Sequence, residues 1–265
     1  MPLVAVNGVR LAYERSGRGE PVLMIMGTGA AGRVWTTHQT PALHRAGYET
    51  IIFDNRDMPS SDAPPGRYSM NDMVADTVGV IEALSLGPCR IVGTSMGAMV
   101  AQEIALARPE LVRAAVLLAT RARADAFRRA LSRADRELAV TGLQLPPVCA
   151  AVSELQQMLS PATLNDDAAV AAWLDLFEMT AGKPAGAQAW ISSDQDRRAA
   201  LRGIKVPCRV VSFADDRVTP PHLGAEVARA IPDCDYREFA ACGHLGFLER
   251  PDEVNAAIIE FFDKY

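Results

Sequence analysis

Short, unbroken apolar runs that alternate with stretches of helical spacing constrain the fold of this chain more than any other feature. The runs cover residues 21–26, 50–53, 89–92, 114–118 and 208–213, with a weaker one at 236–240. Runs of this length are typical of strands buried on both faces of a parallel sheet, and the intervening residues 70–86 and 98–107 have helical spacing. The sequence therefore predicts an α/β fold, a mostly parallel central sheet covered by helices on both faces.

The N-terminal part of the chain has a different pattern. Two short strand-like runs, 4–6 and 9–13, are joined by Asn7-Gly8. This dipeptide favours a two-residue hairpin turn, so the chain is predicted to open with an antiparallel pair of strands.

Residues 121–204 interrupt the alternation of strand and helix. No strand-like run occurs there, and Ala, Arg, Leu and Asp dominate. We therefore predict a helical cap, here called the helical insertion (residues 121–204), on an α/β core made of residues 1–120 and 205–265. Two sequential domains, divided near 120 and 205, are the alternative.

Charge and composition exclude several classes of protein. The 265-residue chain has a net charge of −5, which argues against binding of DNA or RNA, because their phosphates are bound by clustered Lys and Arg. It has neither a basic start followed by an apolar run nor about 18 apolar residues in succession, so we expect a cytoplasmic protein without membrane association. Its five cysteines are widely spaced and form no CxxC pair, which argues against a disulfide framework and a zinc site.

One five-residue motif carries most of the chemistry. Gly93-Thr-Ser95-Met-Gly97 follows the predicted strand 89–92 and precedes a stretch of helical spacing, the context that the GxSxG pattern requires. On so sharp a turn, side chains two positions to either side of the serine would collide with it, which explains glycine at both places. The turn would expose Ser95 as a nucleophile, and a serine nucleophile needs a base and an acid that orients the base.

Among the four histidines, His244 has the best position for that base. His38 and His44 fall in a predicted helix and His222 starts another, so all three are expected to be exposed polar residues. His244 comes immediately after the last strand-like run, where a loop can direct its ring across the ends of the strands.

An acid and two backbone donors complete the predicted site. Asp216 follows the preceding strand, which gives the chain order Ser, Asp, His that accompanies a GxSxG turn, and Asp215 is the competing choice. The developing oxyanion needs two N–H donors. We expect one from Met96, which follows the nucleophile, and the other from Thr28 in the glycine-rich loop 26–32.

Together these motifs resemble the α/β-hydrolase superfamily over essentially the whole chain. The resemblance rests on Gly27-Thr28-Gly29 with Trp35, Asp54-Asn55-Arg56, Gly93 to Gly97, Asp216 with Thr219-Pro220, and Gly243-His244 followed by Glu249-Arg250-Pro251. It favours Asp216 over Asp215. The layout is similar to that of single-domain esterases, ring-cleavage-product hydrolases, cofactor-free haloperoxidase-like enzymes and methylesterases of polyketide antibiotics. Two segments depart from the superfamily pattern: Met26-Gly27 replaces the usual His-Gly, and residues 54–61 replace the turn DxRGxGxS.

Within the helical insertion, Asn165 is expected to cap a helix whose first turn carries Asp166 and Asp167. An insertion without a sheet of its own must lay its apolar face over the strand ends, so some of its large apolar side chains are expected to line the substrate pocket. These candidates are Met158, Trp173, Phe177, Met179 and Trp190.

The predicted function is hydrolysis of a carboxylic ester or thioester of an apolar, moderate-sized acyl group by Ser95, His244 and Asp216, with no metal or organic cofactor. Two rivals are a non-hydrolytic enzyme on the same scaffold, such as a lyase, cyclase or perhydrolase, and a catalytically silent protein that binds a ligand in the pocket. The sequence gives no indication of oligomeric state.

Two further patterns have competing interpretations. Gly27 to Gly32 reads GxGxxG, and Asp54 follows at about the spacing of a dinucleotide site; Pro41, in the helix that should follow, argues against it. An arginine-rich stretch is expected either to be a solvated helix face or to dock an acyl chain bound to an acidic carrier protein. This stretch contains Arg121, Arg123, Arg128, Arg129, Arg133 and Arg136.

Overall fold

A twisted sheet organises the computed structural model, which describes residues 1–180, 186–191 and 195–265. These residues form eight strands in the order β1-β2-β4-β3-β5-β6-β7-β8. The strands are β1 (Leu3–Val6), β2 (Val9–Gly17), β3 (Glu20–Ile25), β4 (Tyr48–Phe53), β5 (Cys89–Thr94), β6 (Val112–Leu118), β7 (Cys208–Phe213) and β8 (Cys234–Phe239). The pairs β1–β2 and β2–β4 are antiparallel, and every pair from β4 through β3 to β8 is parallel. The predicted fold class is confirmed.

Helices cover both faces of the sheet. They are α1 (Gln39–Arg45), α2 (Met70–Ala83), α3 (Met96–Ala107), α4 (Ala126–Thr141), α5 (Pro147–Met158), α6 (Pro161–Leu164), α7 (Asp167–Thr180), α8 (Arg198–Leu201), α9 (Pro221–Ala230), α10 (Gly246–Glu249) and α11 (Pro251–Lys264). Short 3-10 helices occur at Gly32–Thr37, Pro109–Leu111 and Gly186–Trp190.

Alternate residues of the central strands supply two apolar cores. Leu23 and Ile25 of β3 pack in the core beneath α2, α3 and α9, whereas Val22 and Met24 pack in the core beneath α1 and α11. This follows from the strand geometry, in which successive side chains point to opposite faces. The unbroken apolar runs in the sequence are thus explained by burial on both sides.

The N-terminal hairpin forms as the sequence predicts. Asn7 and Gly8 both have positive φ, 45° and 77°, as a two-residue hairpin turn of this type requires. The second strand is longer than the apolar pattern indicates, because β2 continues to Gly17 to pair with β4.

The described helices between β6 and β7 begin with α4 and end with α8. Helices α5 and α7 pack on each other through Ala151, Leu155, Leu159 and Phe177. The expected cap of α7 is wrong by one residue: Oδ1 of Asp166, not Asn165, accepts from the N–H groups at 168 and 169. No helix in the described ranges has the length and apolar content needed to span a bilayer.

Candidate active site

Ser95 lies on the turn between β5 and α3, at the carboxyl end of the sheet. Its backbone has φ 54° and ψ −118°, a conformation that is costly for a residue with a side chain. A Cβ on Gly97 would lie 2.2 Å from the carbonyl oxygen of Ile25, and a Cβ on Gly93 would lie 2.4 Å from that of Gly97. Both glycines are therefore required. The expected collision with the Ser95 side chain is not the reason, because the nearest obstacle at each position is neighbouring backbone.

His244 and Asp216 form a buried pair. Nδ1 of His244 lies 2.8 Å from Oδ2 of Asp216. Because an ionised carboxylate only accepts hydrogen bonds, Nδ1 carries the hydrogen and the lone pair of Nε2 is free. The Thr219 hydroxyl donates to Oδ2 of Asp216, and the N–H groups of Val218 and Thr219 donate to Oδ1, each at 2.8 Å. These donors fix the carboxylate that orients the ring.

The structure distinguishes between the two candidate acids. Asp215 is half-buried, and its backbone N–H donates to the carbonyl of Cys242 at 2.9 Å, whereas the Asp216 side chain faces the imidazole. Asp216 is therefore the acid that the geometry brings to His244.

All three members of the predicted triad lie at one edge of the sheet. Ser95 follows β5, Asp216 follows β7 and His244 follows β8, with β6 between β5 and β7. Ser95 is anchored to β6 because its N–H donates to the carbonyl of Leu118 at 3.0 Å. Within the part of the chain that the structure describes, no hydrogen bond joins Ser95 Oγ to Nε2 of His244. Such catalytic hydrogen bonds are often long in the absence of substrate.

The two predicted oxyanion donors are neighbours in space. Oγ1 of Thr28 lies 3.6 Å from Sδ of Met96, and a Cβ on Gly27 would lie 3.1 Å from Cβ of Ser95. Among the described residues, neither the N–H of Thr28 nor that of Met96 has a hydrogen-bond acceptor. Met96 opens α3, so the positive end of the helix dipole also faces this point. The pair can hold the oxygen of a tetrahedral intermediate.

Two side chains that follow β4 hold the loop 26–32, here called the oxyanion loop because it carries the predicted donor Thr28. Oδ1 of buried Asp54 accepts from the N–H of Gly32 at 2.7 Å, and Nδ2 of Asn55 donates to the carbonyl of Met26 at 3.3 Å. Asp54 is the acid that a dinucleotide site would use to bind a ribose, and one of its oxygens is already hydrogen-bonded to the loop 26–32. Contrary to the expectation from sequence, Pro41 does not interrupt a helix but lies in the first turn of α1, where proline is tolerated.

Glu249 connects the loop between β8 and α10, here called the histidine loop (residues 240–245), to the helical insertion. Its Oε1 accepts from the N–H and the hydroxyl of Ser160 at 2.9 and 2.7 Å and from the hydroxyl of Thr163 at 2.5 Å. Its Oε2 accepts from the N–H of Gly243 at 2.5 Å, one residue before His244. In the sequence, Glu249 stands out only as part of a family motif, which does not indicate these contacts.

Three of the predicted pocket residues pack together near the histidine loop. The rings of Trp173 and Phe177 lie 5.5 Å apart, and both contact the apolar cluster between α5 and α7, to which Met158 also belongs. Leu245 packs on the same cluster and donates its N–H to the carbonyl of Met158 at 3.1 Å. Since Leu245 follows His244, this cluster borders the candidate site.

The other two predicted pocket residues do not belong to this cluster. The ring of Trp190 stacks on the Arg67 guanidinium at 4.3 Å. Met179 is 77% exposed near the end of α7, so its side chain faces solvent and not an enclosed pocket.

A groove of about 200 Å³ lies between α4 and α5. One of its lining residues, Arg217, directly follows Asp216 in the sequence. The groove is lined by Phe127, Leu131, Ser153, Gln156, Gln157 and Arg217.

The remaining histidines make other contacts. His222 is exposed, as expected, and its Nε2 lies 3.3 Å from Oδ2 of Asp125. His38 and His44 are half-buried and not exposed, and Nε2 of His44 lies 2.9 Å from the Thr50 hydroxyl. These contacts give the three rings no part in the candidate site.

The arginine-rich stretch is partly engaged within the chain. Arg123 makes two hydrogen bonds to Glu226 at 2.6 and 2.7 Å, and Arg129 donates to the carbonyl of Ala124 at 2.6 Å. Arg121 is buried. These contacts support a structural role for part of the stretch, and docking of a carrier protein stays a prediction.

The thiol of Cys242 lies two residues before His244 and is buried. All five cysteines are free, and burial raises the pKa of Cys242 to about 12. A thiol with so high a pKa stays protonated. Among the described residues, no three His, Cys, Asp or Glu side chains are grouped so that they could hold a metal ion.

Comparison with known proteins gives a consistent result. Residues 22–257 match the Alpha/beta hydrolase family. The chain is 46% identical over 257 residues to BpoC of Mycobacterium tuberculosis, provisionally named a non-heme bromoperoxidase, covering 96% of this chain and 98% of that protein. It is 28% identical to RutD of Azorhizobium caulinodans, provisionally named a carbamate hydrolase, over 98% of each chain.

Solved structures agree with these sequence relationships. The crystal structure of BpoC from M. tuberculosis H37Rv superposes with a TM-score of 0.92 at 45% identity, covering 96% of both chains. A thermophilic esterase from Thermogutta terrifontis superposes with a TM-score of 0.84 at 25% identity, covering 100% of this chain and 99% of the esterase.

Proposed function

This chain is an enzyme of the alpha/beta hydrolase family, and we propose that it is a serine hydrolase that cleaves a carboxylic ester or thioester. The observation that carries the proposal is the shared position of four groups at one edge of the sheet. These groups are the half-buried hydroxyl of Ser95, the Asp216–His244 pair, and the N–H groups of Thr28 and Met96, which have no acceptor among the described residues. This combination is what acyl transfer through a serine requires.

The first half of the reaction forms an acyl-enzyme. Oγ of Ser95 attacks the carbonyl carbon while its proton passes to Nε2 of His244, and the resulting oxyanion accepts from the N–H groups of Thr28 and Met96. Asp216 holds the imidazolium in place. His244 then gives the proton to the leaving alcohol or thiol as the carbon–oxygen or carbon–sulfur bond breaks, and the acyl group stays on Ser95.

The second half releases the acid. A water molecule gives a proton to Nε2 of His244 and attacks the acyl carbon, and a second oxyanion forms in the same hole. The bond to Ser95 then breaks, His244 returns the proton to Oγ, and the carboxylic acid leaves. These steps use only groups of the protein and water, with no metal or organic cofactor.

Apolar surroundings support an apolar acyl group as substrate. Met158, Trp173 and Leu245 belong to the cluster that borders the histidine loop. Sites of this kind hold ligands chiefly by apolar contact and exclude water from the reacting groups. A short to moderate acyl chain or a ring fits this chemistry, either free or presented on a carrier.

Hydrolysis of p-nitrophenyl esters and of an acyl thioester tests the proposal. We expect turnover by the wild type and a loss of at least about 10³-fold in kcat/KM in Ser95→Ala. Ser85→Ala is a matched control, because Ser85 also has φ 54° but lies exposed beyond α2. Wild-type turnover that survives in Ser95→Ala would contradict the proposal.

The name of BpoC supports a second candidate, perhydrolysis. In this reaction hydrogen peroxide replaces water, so the acyl group on Ser95 leaves as a peracid, and the peracid then oxidises bromide while it returns to the carboxylic acid. Bromination of monochlorodimedone by the wild type, dependent on an added short-chain carboxylic acid, on peroxide and on Ser95, would support it. Ester hydrolysis without such bromination would support the esterase assignment and reject perhydrolysis.

A further inference from the structure

A buried glutamine of the helical insertion touches the oxyanion loop. Gln188 lies in the 3-10 helix Gly186–Trp190 and is 3% exposed. Its Oε1 accepts from the N–H of Gly29 at 2.8 Å, and its Nε2 donates to the carbonyl of Arg56 at 2.6 Å. One amide thus joins the loop after β3 to the turn after β4, across 159 and 132 residues of sequence.

The turn that Gln188 contacts is weakly closed by itself. Gly29 has φ 70°, as the third residue of a type II turn requires, and the closing bond from the N–H of Ala30 to the carbonyl of Gly27 is long at 3.4 Å. Thr28, the predicted oxyanion donor, is the second residue of this turn. Because the peptide planes are rigid, fixing the N–H of Gly29 restricts the direction of the adjacent Thr28 backbone.

The other end of the contact is firmly held. The Arg56 side chain makes two hydrogen bonds of 2.6 Å to buried Asp76, which raise the pKa of the guanidinium. A second hydrogen bond joins the 3-10 helix Gly186–Trp190 to the turn after β4. In it, the N–H of Ala187 donates to Oδ2 of Asp57 at 2.8 Å. The Tyr68 hydroxyl donates to that oxygen also at 2.8 Å. Residues 187 and 188 are thereby docked on a rigid turn.

We infer that Gln188 is a positioning residue for the oxyanion hole, so that the hole is complete only when the segment around Gln188 is seated on the core. This inference rests on the proposed function, because it assigns the Thr28 N–H to the oxyanion. Within the described residues, Gln188 makes hydrogen bonds to neither the serine nor the histidine. It acts through Gly29, and the helical insertion thereby contributes to stabilisation of the transition state as well as to the pocket.

Two substitutions and one control test the inference. Gln188→Ala removes both hydrogen bonds and is expected to lower kcat for ester hydrolysis by about 10- to 100-fold, less than loss of an oxyanion donor itself, with KM nearly unchanged. Gln144→Ala removes an exposed glutamine of the same insertion and is expected to keep wild-type kcat. Equal kcat in the two variants would overturn the inference.

Gln188→Glu gives a pH readout that a merely structural role would not produce. Ionised glutamate only accepts, so it keeps the bond from Gly29 but repels the carbonyl of Arg56, whereas the protonated acid accepts and donates as glutamine does. The ratio of kcat in Gln188→Glu to wild-type kcat should therefore rise as the pH falls. A ratio that is independent of pH would contradict the inference.

Two measurements separate this inference from the proposed function. The rate at which a fluorophosphonate labels Ser95 depends on the oxyanion hole but not on ester turnover, and it should fall in Gln188→Ala and not in Gln144→Ala. Amide hydrogen exchange at residues 27–32 should quicken in Gln188→Ala alone. If Gln188→Ala slows labelling but the wild type hydrolyses no ester, the inference is supported and the esterase assignment is rejected. If the wild type hydrolyses esters but Gln188→Ala changes neither labelling nor exchange, the esterase assignment is supported and the inference is rejected.

Discussion

Oδ2 of Asp216 lies 2.8 Å from Nδ1 of His244, although 28 residues separate them in the sequence. The neighbouring Asp215 has the same side chain, but the Thr219 and Val218 donors surround only Asp216. The two aspartates are therefore a matched pair for testing which carboxylate orients the histidine.

Asp216→Asn is expected to lower kcat by about 10⁴-fold, because an amide can donate to Nδ1 and hold the ring in the wrong tautomer. Asp215→Asn is expected to leave kcat within the scatter of the wild type. Steady-state hydrolysis by the two purified variants measures this. Equal losses in both, or a larger loss in Asp215→Asn, would show that the pair has been assigned wrongly.

The three proposed catalytic residues could be placed from the sequence because each follows a recognisable strand. Ser95 lies in a motif with a fixed structural context, and Asp216 and His244 follow the last two apolar runs of the chain. Carboxyl ends of parallel strands meet at one edge, so chain order alone brings such residues together.

The residues that hold the site could not be predicted in the same way. Gln188 lies in an alanine-rich stretch without periodicity, and nothing in its neighbours indicates that it reaches Gly29. Asp57, where φ is 70°, belongs to the segment that departs from the family turn DxRGxGxS, and this departure is visible in the sequence. That its carboxylate accepts from the N–H of Ala187 depends on how the insertion packs on the core. Contacts between an insertion and a distant turn are tertiary and leave no local pattern.

The buried ion pair Arg56–Asp76 should contribute strongly to stability. Both side chains are almost inaccessible to solvent, and Asp76 also accepts from Asn7 at 2.9 Å. Asp76→Ala leaves the guanidinium buried without its partner, so we expect the free energy of unfolding to fall by about 3–5 kcal/mol. Urea denaturation followed by circular dichroism measures the change.

Asp62→Ala is the matched control for that experiment. Asp62 pairs with Arg10 at 2.9 Å in solvent, where ion pairs contribute little, so its removal should not shift the urea midpoint measurably. A loss of stability in Asp62→Ala as large as in Asp76→Ala would contradict the importance of burial.

Thiol reagents should spare the activity. The raised pKa of Cys242 keeps this thiol protonated far above neutral pH, and the thiolate is the reactive form. Iodoacetamide at about pH 8 is expected to modify exposed Cys149 while hydrolysis continues. Peptide mapping alongside an activity assay checks this, and inactivation that follows alkylation of Cys242 would show that the thiol is accessible and ionised.

Covalent labelling shows whether Ser95 is a nucleophile activated by His244. Wild-type protein treated with a fluorophosphonate should gain the mass of one phosphonyl group, mapped by peptide sequencing to Ser95, and His244→Ala should react at least about 100-fold more slowly because it lacks the base. Ser95→Ala should gain nothing. A phosphonyl group at another residue, or wild-type labelling rates in His244→Ala, would show that these side chains do not form an activated nucleophile.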